Sequence, residues 1–191
     1  MLQEQLRFPA TQANVEARRA LAMAYRTETA CHQHLVNAES AAIFEHDNAR
    51  LKAAIPPILV PDTIKAYGDL AAARRERMGV TVIGITGSVG KTTTKEMTAC
   101  MLERTYRTAR TEGNHNNNIG LPMTILDMPD DTETAVLELG MNHFGEMARL
   151  TSIAKPDIAV ITNIGTMHIE HLGSREGILQ AKLEIFRGVP E

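Results

Sequence analysis

The sequence contains no tryptophan and, in 191 residues, only 3 tyrosines and 4 phenylalanines. So few aromatic side chains leave little surface on which the bases of a single-stranded nucleic acid could stack. The formal net charge of −3 gives the chain no overall basic field that would hold nucleic acid or an anionic membrane. The composition therefore argues against a nucleic-acid ATPase and predicts no nucleic-acid partner, so any phosphate site must be local.

Long apolar runs and paired cysteines are also missing. No window approaches the roughly 18 consecutive apolar residues of a membrane span, and the charged residues Glu4, Arg7 and Glu16 stand where a signal peptide has an apolar run. We therefore expect a cytoplasmic protein without a membrane span. Cys31 and Cys100 lie far apart in the sequence, and we expect both to be free thiols.

The pattern of apolar and polar residues changes near residue 79. Residues 1–54 are rich in Ala, Glu, Gln and Arg and lack strand-like alternation, which predicts a mostly helical segment whose role stays open. A single short strand is expected at Ile58–Val60 and a helix at Thr63–Arg77. From residue 80 onward short apolar runs alternate with helical stretches, which predicts βαβ units and an α/β fold with a parallel sheet. The predicted strands are Val80–Thr86, Arg107–Thr111, Ala135–Leu139 and Ile158–Asn163, and the predicted helices are Lys91–Tyr106, Ile119–Leu126, Phe144–Ala154 and Ser174–Arg187.

The methionines, 10 in number, need no cofactor to explain them. Met97 and Met101 stand four residues apart in the second predicted helix, which is the spacing of a stripe along one helix face. We expect this stripe to face the core.

A glycine-rich turn joins the first strand of the sheet to the helix that follows it, and it reads TGSVGKTT from Thr86 to Thr93. Backbone N–H groups in such a turn, together with the N-terminal end of a helix, bind phosphate. Lys91 is then expected to reach the β- and γ-phosphates of a nucleotide, and the Thr92 hydroxyl to bind the bridging Mg²⁺. The generic pattern has a glycine where Ile85 stands, but the glycine, lysine and threonine positions still predict a phosphate loop. Its expected nucleotide-binding residues are Gly87, Ser88, Val89, Gly90, Lys91, Thr92 and Thr93.

The loop and three later segments together resemble the Mur ligases, ATP-dependent enzymes that form peptide bonds in cell-wall synthesis. The order and spacing of the segments resemble the MurF branch, which adds D-alanyl-D-alanine to UDP-N-acetylmuramoyl-tripeptide. These two small molecules are therefore the expected substrates. The later segments are TEGNHNNNIGLP at 111–122, ELGMNHFGE at 138–146, and NIGTMH at 163–168 followed by LGSREG at 172–177.

The resemblance covers about residues 58–191 and implies a division of the chain. Residues 58–78 resemble the end of the family's N-terminal domain, and residues 79–191 resemble its central, parallel-sheet ATP-binding domain. The family continues well beyond this point, so we expect an incomplete central domain preceded by a mostly helical segment. We also expect a monomer. Two alternatives stay open: a nucleotide-binding fragment without ligase activity, or another Mur-like acid–amino acid ligase of the folylpolyglutamate or cyanophycin synthetase type.

The resemblance also implies a reaction through an acyl-phosphate, which ATP forms on the substrate carboxylate and from which the amine displaces phosphate. Bringing two anionic groups together calls for cations and for hard oxygen ligands of Mg²⁺. Thr92 and Glu138, the latter at the carboxyl end of a predicted strand, offer such oxygens. His168 matches the family's ligand for a second Mg²⁺, although imidazole is an unusual Mg²⁺ ligand and His171 lies three residues on.

Lys182 resembles the family's carbamylated lysine, in which CO₂ adds to a neutral amine and turns a cation into an anion. The alternative is an ordinary solvent-facing helix lysine. The resemblance thus implies Lys91, His168 and Lys182 as catalytic residues. Five further side chains could bond nucleotide or substrate without adding negative charge, although Gly-Asn runs also form turns: Asn114, Asn117, Asn118, Asn142 and His143.

Overall fold

The computed structural model describes residues 62–190. The predictions for residues 1–54 and for a strand at Ile58–Val60 lie outside the described residues. The sheet lies entirely within the unit formed by residues 68–191.

Ten helices and strands follow one another in the described part of the chain, and a 3₁₀ turn at Glu184–Gly188 comes after the last of them. No helix within residues 62–190 has the length and apolar composition needed to cross a bilayer. In chain order the elements are α1 (Thr63–Met78), β1 (Thr81–Thr86), α2 (Lys91–Leu102), β2 (Thr108–Arg110), α3 (Gly120–Asp127), β3 (Thr134–Glu138), α4 (Glu146–Ala154), β4 (Ile158–Ile161), α5 (Ile169–Leu172) and α6 (Arg175–Leu183).

The four strands form one parallel sheet in the order β2-β3-β1-β4, which confirms the predicted α/β fold class. The register pairs Ile85 of β1 with Glu138 of β3, and Thr86 with Ile161 of β4. In a parallel sheet the carboxyl ends of all strands meet at one edge, which is where α/β proteins bind ligands. The loop after β1, the carboxylate of Glu138 and the segment after β4 therefore lie together.

Apolar side chains from both faces of the sheet are buried, which explains why the strands read as nearly continuous apolar runs. Alternate residues of β1 divide between the faces, with Val82 in one cluster and Ile83 and Ile85 in the other. The second cluster is small and includes Ala99 of α2. The first is larger and draws on α3, α4 and α6, its members including Leu121, Ile125, Leu137, Met147, Leu150, Ile153 and Ile178.

The prediction that Met97 and Met101 face the core is wrong. Their side chains are 62% and 71% exposed, whereas Lys95 and Ala99 are the buried residues of α2. Positions i and i+4 share a helix face, so Met97 and Met101 lie on one face of α2, and Lys95 and Ala99 lie together on another. The helix turns the pair that contains the lysine inward, because Lys95 finds a hydrogen-bond acceptor there.

Several element boundaries differ from those predicted, and one helix was missed. Helix α2 ends at Leu102, whose carbonyl accepts the N–H groups of Thr105 and Tyr106 in a turn toward β2. The short helix α5 was not predicted. The last helix changes to a 3₁₀ turn at Glu184–Gly188, where a Cβ on Gly188 would stand 2.6 Å from Thr151, so the chain passes close against α4.

Candidate nucleotide site

The loop between β1 and α2 depends on two glycines. Gly87 has φ 150° and Gly90 has φ 84°, both in the region that favours glycine. A Cβ at Gly87 would stand 1.9 Å from the Oγ1 atom of Thr162. The loop therefore approaches the segment after β4 more closely than any side chain at residue 87 permits.

That segment, residues 162–165, holds the loop in place. The backbone oxygen of Asn163 accepts the N–H of Ser88 at 3.2 Å, and its side-chain Oδ1 accepts the N–H of Val89 at 3.0 Å. Thr162 donates its hydroxyl to the carbonyl of Val89 at 2.6 Å, and the N–H of Gly165 donates to Ser88 Oγ at 2.9 Å. The loop backbone is thus fixed by the protein itself, which is the preorganised state that anion binding needs.

The start of α2 supplies further N–H groups to this loop. Those of Lys91, Thr92 and Thr93 belong to the first helical turn and have no acceptor within the helix. Ser88 and Val89, also predicted to bind nucleotide, instead use their N–H groups on Asn163. The first turn of α2 is therefore the part of the loop that can cradle a phosphate.

Lys91 lies folded across the loop, with its ammonium group donating to the carbonyl of Gly87 at 3.0 Å. Its side chain is half-buried. A single carbonyl leaves most of the hydrogen-bonding capacity of the ammonium group for an anion placed on the loop.

Thr92 and Glu138, the two predicted oxygen ligands of Mg²⁺, are brought together. Thr92 Oγ1 donates to Glu138 Oε2 at 2.9 Å, and Glu138 is only 2% exposed. Its other oxygen, Oε1, accepts from Asn116 Nδ2 at 2.8 Å. A hydroxyl and a buried carboxylate beside a helix N-terminus form the hard donor set that Mg²⁺ prefers.

His168 lies outside this hydrogen-bonded pair, just before α5. Among residues 62–190 no three His, Cys, Asp or Glu side chains are grouped so as to hold a metal. His168 precedes α5 in a left-handed conformation, φ 63°, and its carbonyl accepts the N–H groups of His171 and Leu172 at 3.1 Å. The ring of His171 packs against that of His143, with centroids 4.5 Å apart and the planes tilted by 37°.

The asparagine run has divided roles. Asn117 Oδ1 accepts the N–H groups of Ile119 at 3.1 Å and Gly120 at 2.9 Å, so it shapes the turn that leads into α3. Asn114 Oδ1 accepts from Asn116 at 2.9 Å. Asn116, which the sequence did not single out, is the member of the run that touches Glu138. A buried oxygen of Asn118 has no partner among the described residues.

The segment at Asn142 and His143 is held by Glu146. One carboxylate oxygen, Oε2, accepts the N–H groups of Asn142 at 2.7 Å and His143 at 3.2 Å. Partial burial raises the pKa of the Glu146 carboxyl, but these hydrogen bonds outweigh that effect and hold its pKa below the usual range. Both N–H groups therefore serve the turn before α4, while the two side chains stay exposed.

Lys182 is buried on α6, with 3% of its surface exposed, so the solvent-facing alternative is wrong. Two effects lower the pKa of Lys182 from 10.5 to about 8: the larger is the removal of its ammonium group from water, and the smaller is repulsion from Lys91. Near pH 8 about half of this amine is therefore unprotonated, whereas an exposed lysine is almost fully protonated there.

We expect Gly87→Ala to lower the free energy of unfolding by about 2–4 kcal/mol, because the added Cβ meets Thr162 and also strains the backbone. Gly145→Ala is the matched control, since Gly145 has φ 83° but nothing within 4 Å of an added Cβ. Strain alone there costs about 1 kcal/mol. Urea unfolding measures both, and equal losses would contradict the close approach at Gly87.

Lys182 makes stability depend on alkaline pH. Between pH 8 and 10.5 the unfolded chain keeps the proton that the folded chain has lost, so the free energy of unfolding rises with pH across this window. We expect the difference between the unmodified chain and Lys182→Met to change by up to about 3 kcal/mol over that range. Unfolding in CO₂-free buffers measures it, and a difference that is constant with pH would count against the lowered pKa.

Comparison with known proteins gives the same family. Residues 85–191, more than half of the chain, match the family described as Mur ligase middle domain. The chain is 56% identical over 134 residues to a UDP-N-acetylmuramoyl-tripeptide–D-alanyl-D-alanine ligase of Bacillus subtilis, which covers 70% of this chain and 29% of that enzyme.

Two solved structures are similar in fold as well as in sequence. MurF from Acinetobacter baumannii superposes with a TM-score of 0.68 at 46% identity and covers 70% of this chain and 30% of its own. MurF ligase from Thermotoga maritima, in complex with ADP, gives a TM-score of 0.67 at 37% identity and covers 72% and 33%. The chain thus spans about a third or less of the relatives it matches, and it belongs to the Mur ligase family.

Proposed function

We propose that this chain forms the ATP-binding part of a ligase that joins D-alanyl-D-alanine to UDP-N-acetylmuramoyl-tripeptide in peptidoglycan precursor synthesis. The observation that carries the proposal is the hydrogen bond between Thr92 and Glu138 at the start of α2. It places a hydroxyl and a carboxylate beside a phosphate loop that already contains Lys91. The names of the relatives support the reaction, and the ADP complex of one of them supports the nucleotide.

The loop fits the phosphates of ATP. Its closest approach to the segment after β4 needs Gly87, and the first turn of α2 presents N–H groups where negative charge is favoured. Lys91 supplies a mobile positive charge on the same turn. Together these groups would bind the β- and γ-phosphates and offset the charge that collects on them.

The donor set at Thr92 and Glu138 fits Mg²⁺. When bound, Mg²⁺ supplies a charge that draws the phosphate oxygens together and lowers their repulsion toward a carboxylate. Asn116 keeps one oxygen of Glu138 occupied, which fixes the direction of the other. We also assign His168 as the candidate ligand for a second Mg²⁺, since it follows the segment 162–165 that contacts the loop.

The peptide bond forms in two steps. A carboxylate oxygen of the tripeptide attacks the γ-phosphorus, the bond to ADP breaks, and ADP leaves. The amine of D-alanyl-D-alanine then attacks the acyl carbon, phosphate leaves with the electron pair, and the amine loses a proton. Lys91 and the N–H groups of α2 hold the phosphate chain in line during the first step.

Lys182 suits modification by CO₂. Its neutral amine would attack the carbon of CO₂, forming an N–C bond and releasing a proton to solvent, so that a carbamate replaces the ammonium group. Lys91 now repels that ammonium group and would attract the carbamate. Carbamylation therefore converts an unfavourable pair of cations into an ion pair and gives the site another oxygen donor.

The remaining assignments follow from the family. We assign residues 79–191 to the central ATP-binding domain, and we place the reaction in the cytoplasm because its substrates are a nucleotide sugar and ATP. Our candidates for substrate contacts are Asn114, Asn142 and His143. Their side chains are exposed, and they follow the carboxyl ends of strands β2 and β3.

The ligase activity can be tested in a chimera. The aligned 134-residue segment of the Bacillus subtilis relative is replaced by that of this chain, and product formation from the two substrates and ATP is measured. We expect activity in the chimera and a loss of at least about a hundredfold with Lys91→Ala, because phosphoryl transfer depends on that charge.

Arg104→Ala is the control for the chimera, since it removes one exposed positive charge in the turn after α2. An active Lys91→Ala chimera would contradict the assigned role of the loop. A folded chimera that binds nucleotide but makes no peptide bond would favour the alternative of a nucleotide-binding module.

The carbamate has its own measurement. We expect ¹³C-bicarbonate to give a carbamate resonance in this chain near pH 8, where about half of the Lys182 amine is neutral. Lys182→Met must lose the resonance. Lys155→Met must keep it, because it removes a different lysine, which follows α4 and pairs with Glu76 of α1. A resonance that survives Lys182→Met would assign the carbamate to another amine.

A further inference from the structure

Lys95 is a buried lysine that neither the phosphate loop nor the family resemblance explains. It lies one turn beyond Lys91 in α2, and 1% of its surface is exposed. Its ammonium group donates to the carbonyl of Thr111 at 2.6 Å and pairs with Glu96 Oε1 at 2.9 Å. Burying a charged group this completely is costly, and these two contacts offset part of that cost.

Thr111 connects Lys95 to the site. It is the residue that follows β2, it is fully buried, and its N–H donates to the carbonyl of Val136 at 3.1 Å. Its side-chain Oγ1 accepts the backbone N–H of Glu138 at 2.9 Å. Thr111 is therefore held from one side by Lys95 and holds the backbone of Glu138 on the other.

Helix α2 reaches Glu138 at two points. Thr92 contacts its carboxylate, and Lys95, three residues further along the same helix, contacts its backbone through Thr111. Residues three apart lie on one face of a helix, so both contacts come from the side of α2 that faces the sheet. The carboxylate is thereby fixed in position and in direction relative to the first turn of α2.

We propose that Lys95 is a positioning residue that acts through Thr111 to hold the Glu138 carboxylate where it meets Thr92 and a nucleotide-bound Mg²⁺. This inference rests on the proposed function of the site. A lysine that served only the general stability of the fold would affect nucleotide binding equally with and without Mg²⁺. A positioning lysine affects the part of the binding that Mg²⁺ adds.

The test compares the affinity for a non-hydrolysable ATP analogue with and without Mg²⁺, by calorimetry on the full chain. We expect Lys95→Met to reduce the Mg²⁺-dependent gain in affinity about tenfold and to leave Mg²⁺-free binding unchanged. Thr111→Val, which removes the acceptor for the Glu138 N–H, should give the same result. The double variant should lose no more than either one, because both break a single chain of contacts.

Glu96→Gln is the matched control, because it removes the ion pair of Lys95 and leaves its bond to Thr111. It should keep the full Mg²⁺-dependent gain. A Mg²⁺-dependent gain in Lys95→Met equal to that of the unmodified chain overturns the proposal. A parallel loss of binding with and without Mg²⁺, including loss of the fold, in both Lys95→Met and Thr111→Val also overturns it.

A second readout needs no ligand. Hydrogen exchange at the amide of Glu138 should speed up about tenfold in Lys95→Met, while that of Leu139, which donates to Ile85, should not change. Lys91→Ala separates the two proposals. If the unmodified chain and Lys91→Ala bind the nucleotide equally, the proposed function fails, whereas unchanged exchange at Glu138 sinks the positioning role alone.

Discussion

The parallel pairing of β1 with β3 is the constraint on which the candidate site depends. Its register sets Ile85 beside Glu138, so the carboxylate comes at the end of β3 just where β1 gives way to the glycine turn. Thr92 can then reach Glu138 from the first turn of α2. A slip of the strands by one residue would turn the carboxylate to the other face of the sheet, because side chains alternate with a period of two. The apolar core on both faces thus also fixes the geometry of the site.

The pairing of β1 with β4 fixes the other side of the loop. Its register sets Thr86 beside Ile161, and residues 162–165 therefore lie against the loop backbone. Asn163 accepts loop N–H groups with both its backbone oxygen and its side-chain oxygen. These hydrogen bonds within the protein fix the loop backbone, so less conformational freedom is lost when an anion binds. Asn163 also follows a strand end, and the same rule that pointed to Glu138 could have found it.

Much of the fold and the centre of the site could be predicted from the sequence. The strands stand out because both of their faces are buried, and the loop stands out because its phosphate geometry needs glycine at residues 87 and 90. The orientation of a helix is harder to predict, since Met97 and Met101 have the spacing of a core stripe and yet face solvent. Lys95 turns inward because it meets the carbonyl of Thr111, just after the next strand, and spacing within one helix carries no information about such a partner. Which asparagine of the run touches Glu138 likewise depends on the turn, not on residue type.

The positive charges of the site lower the free energy of unfolding when no anion is bound. Burial and repulsion from Lys91 both penalise the charged form of Lys182, and no acidic side chain within residues 62–190 pairs with it. Two cations at the edge of a sheet that also presents helical N–H groups create a field suited to anions, and the field is strongest when no anion is bound. Phosphate groups on the loop, or a carbamate on Lys182, would relieve that repulsion. The same arrangement that lowers the stability of the free chain therefore supplies affinity for the anions that complete the site, which is the usual relation between strain and function at a binding site.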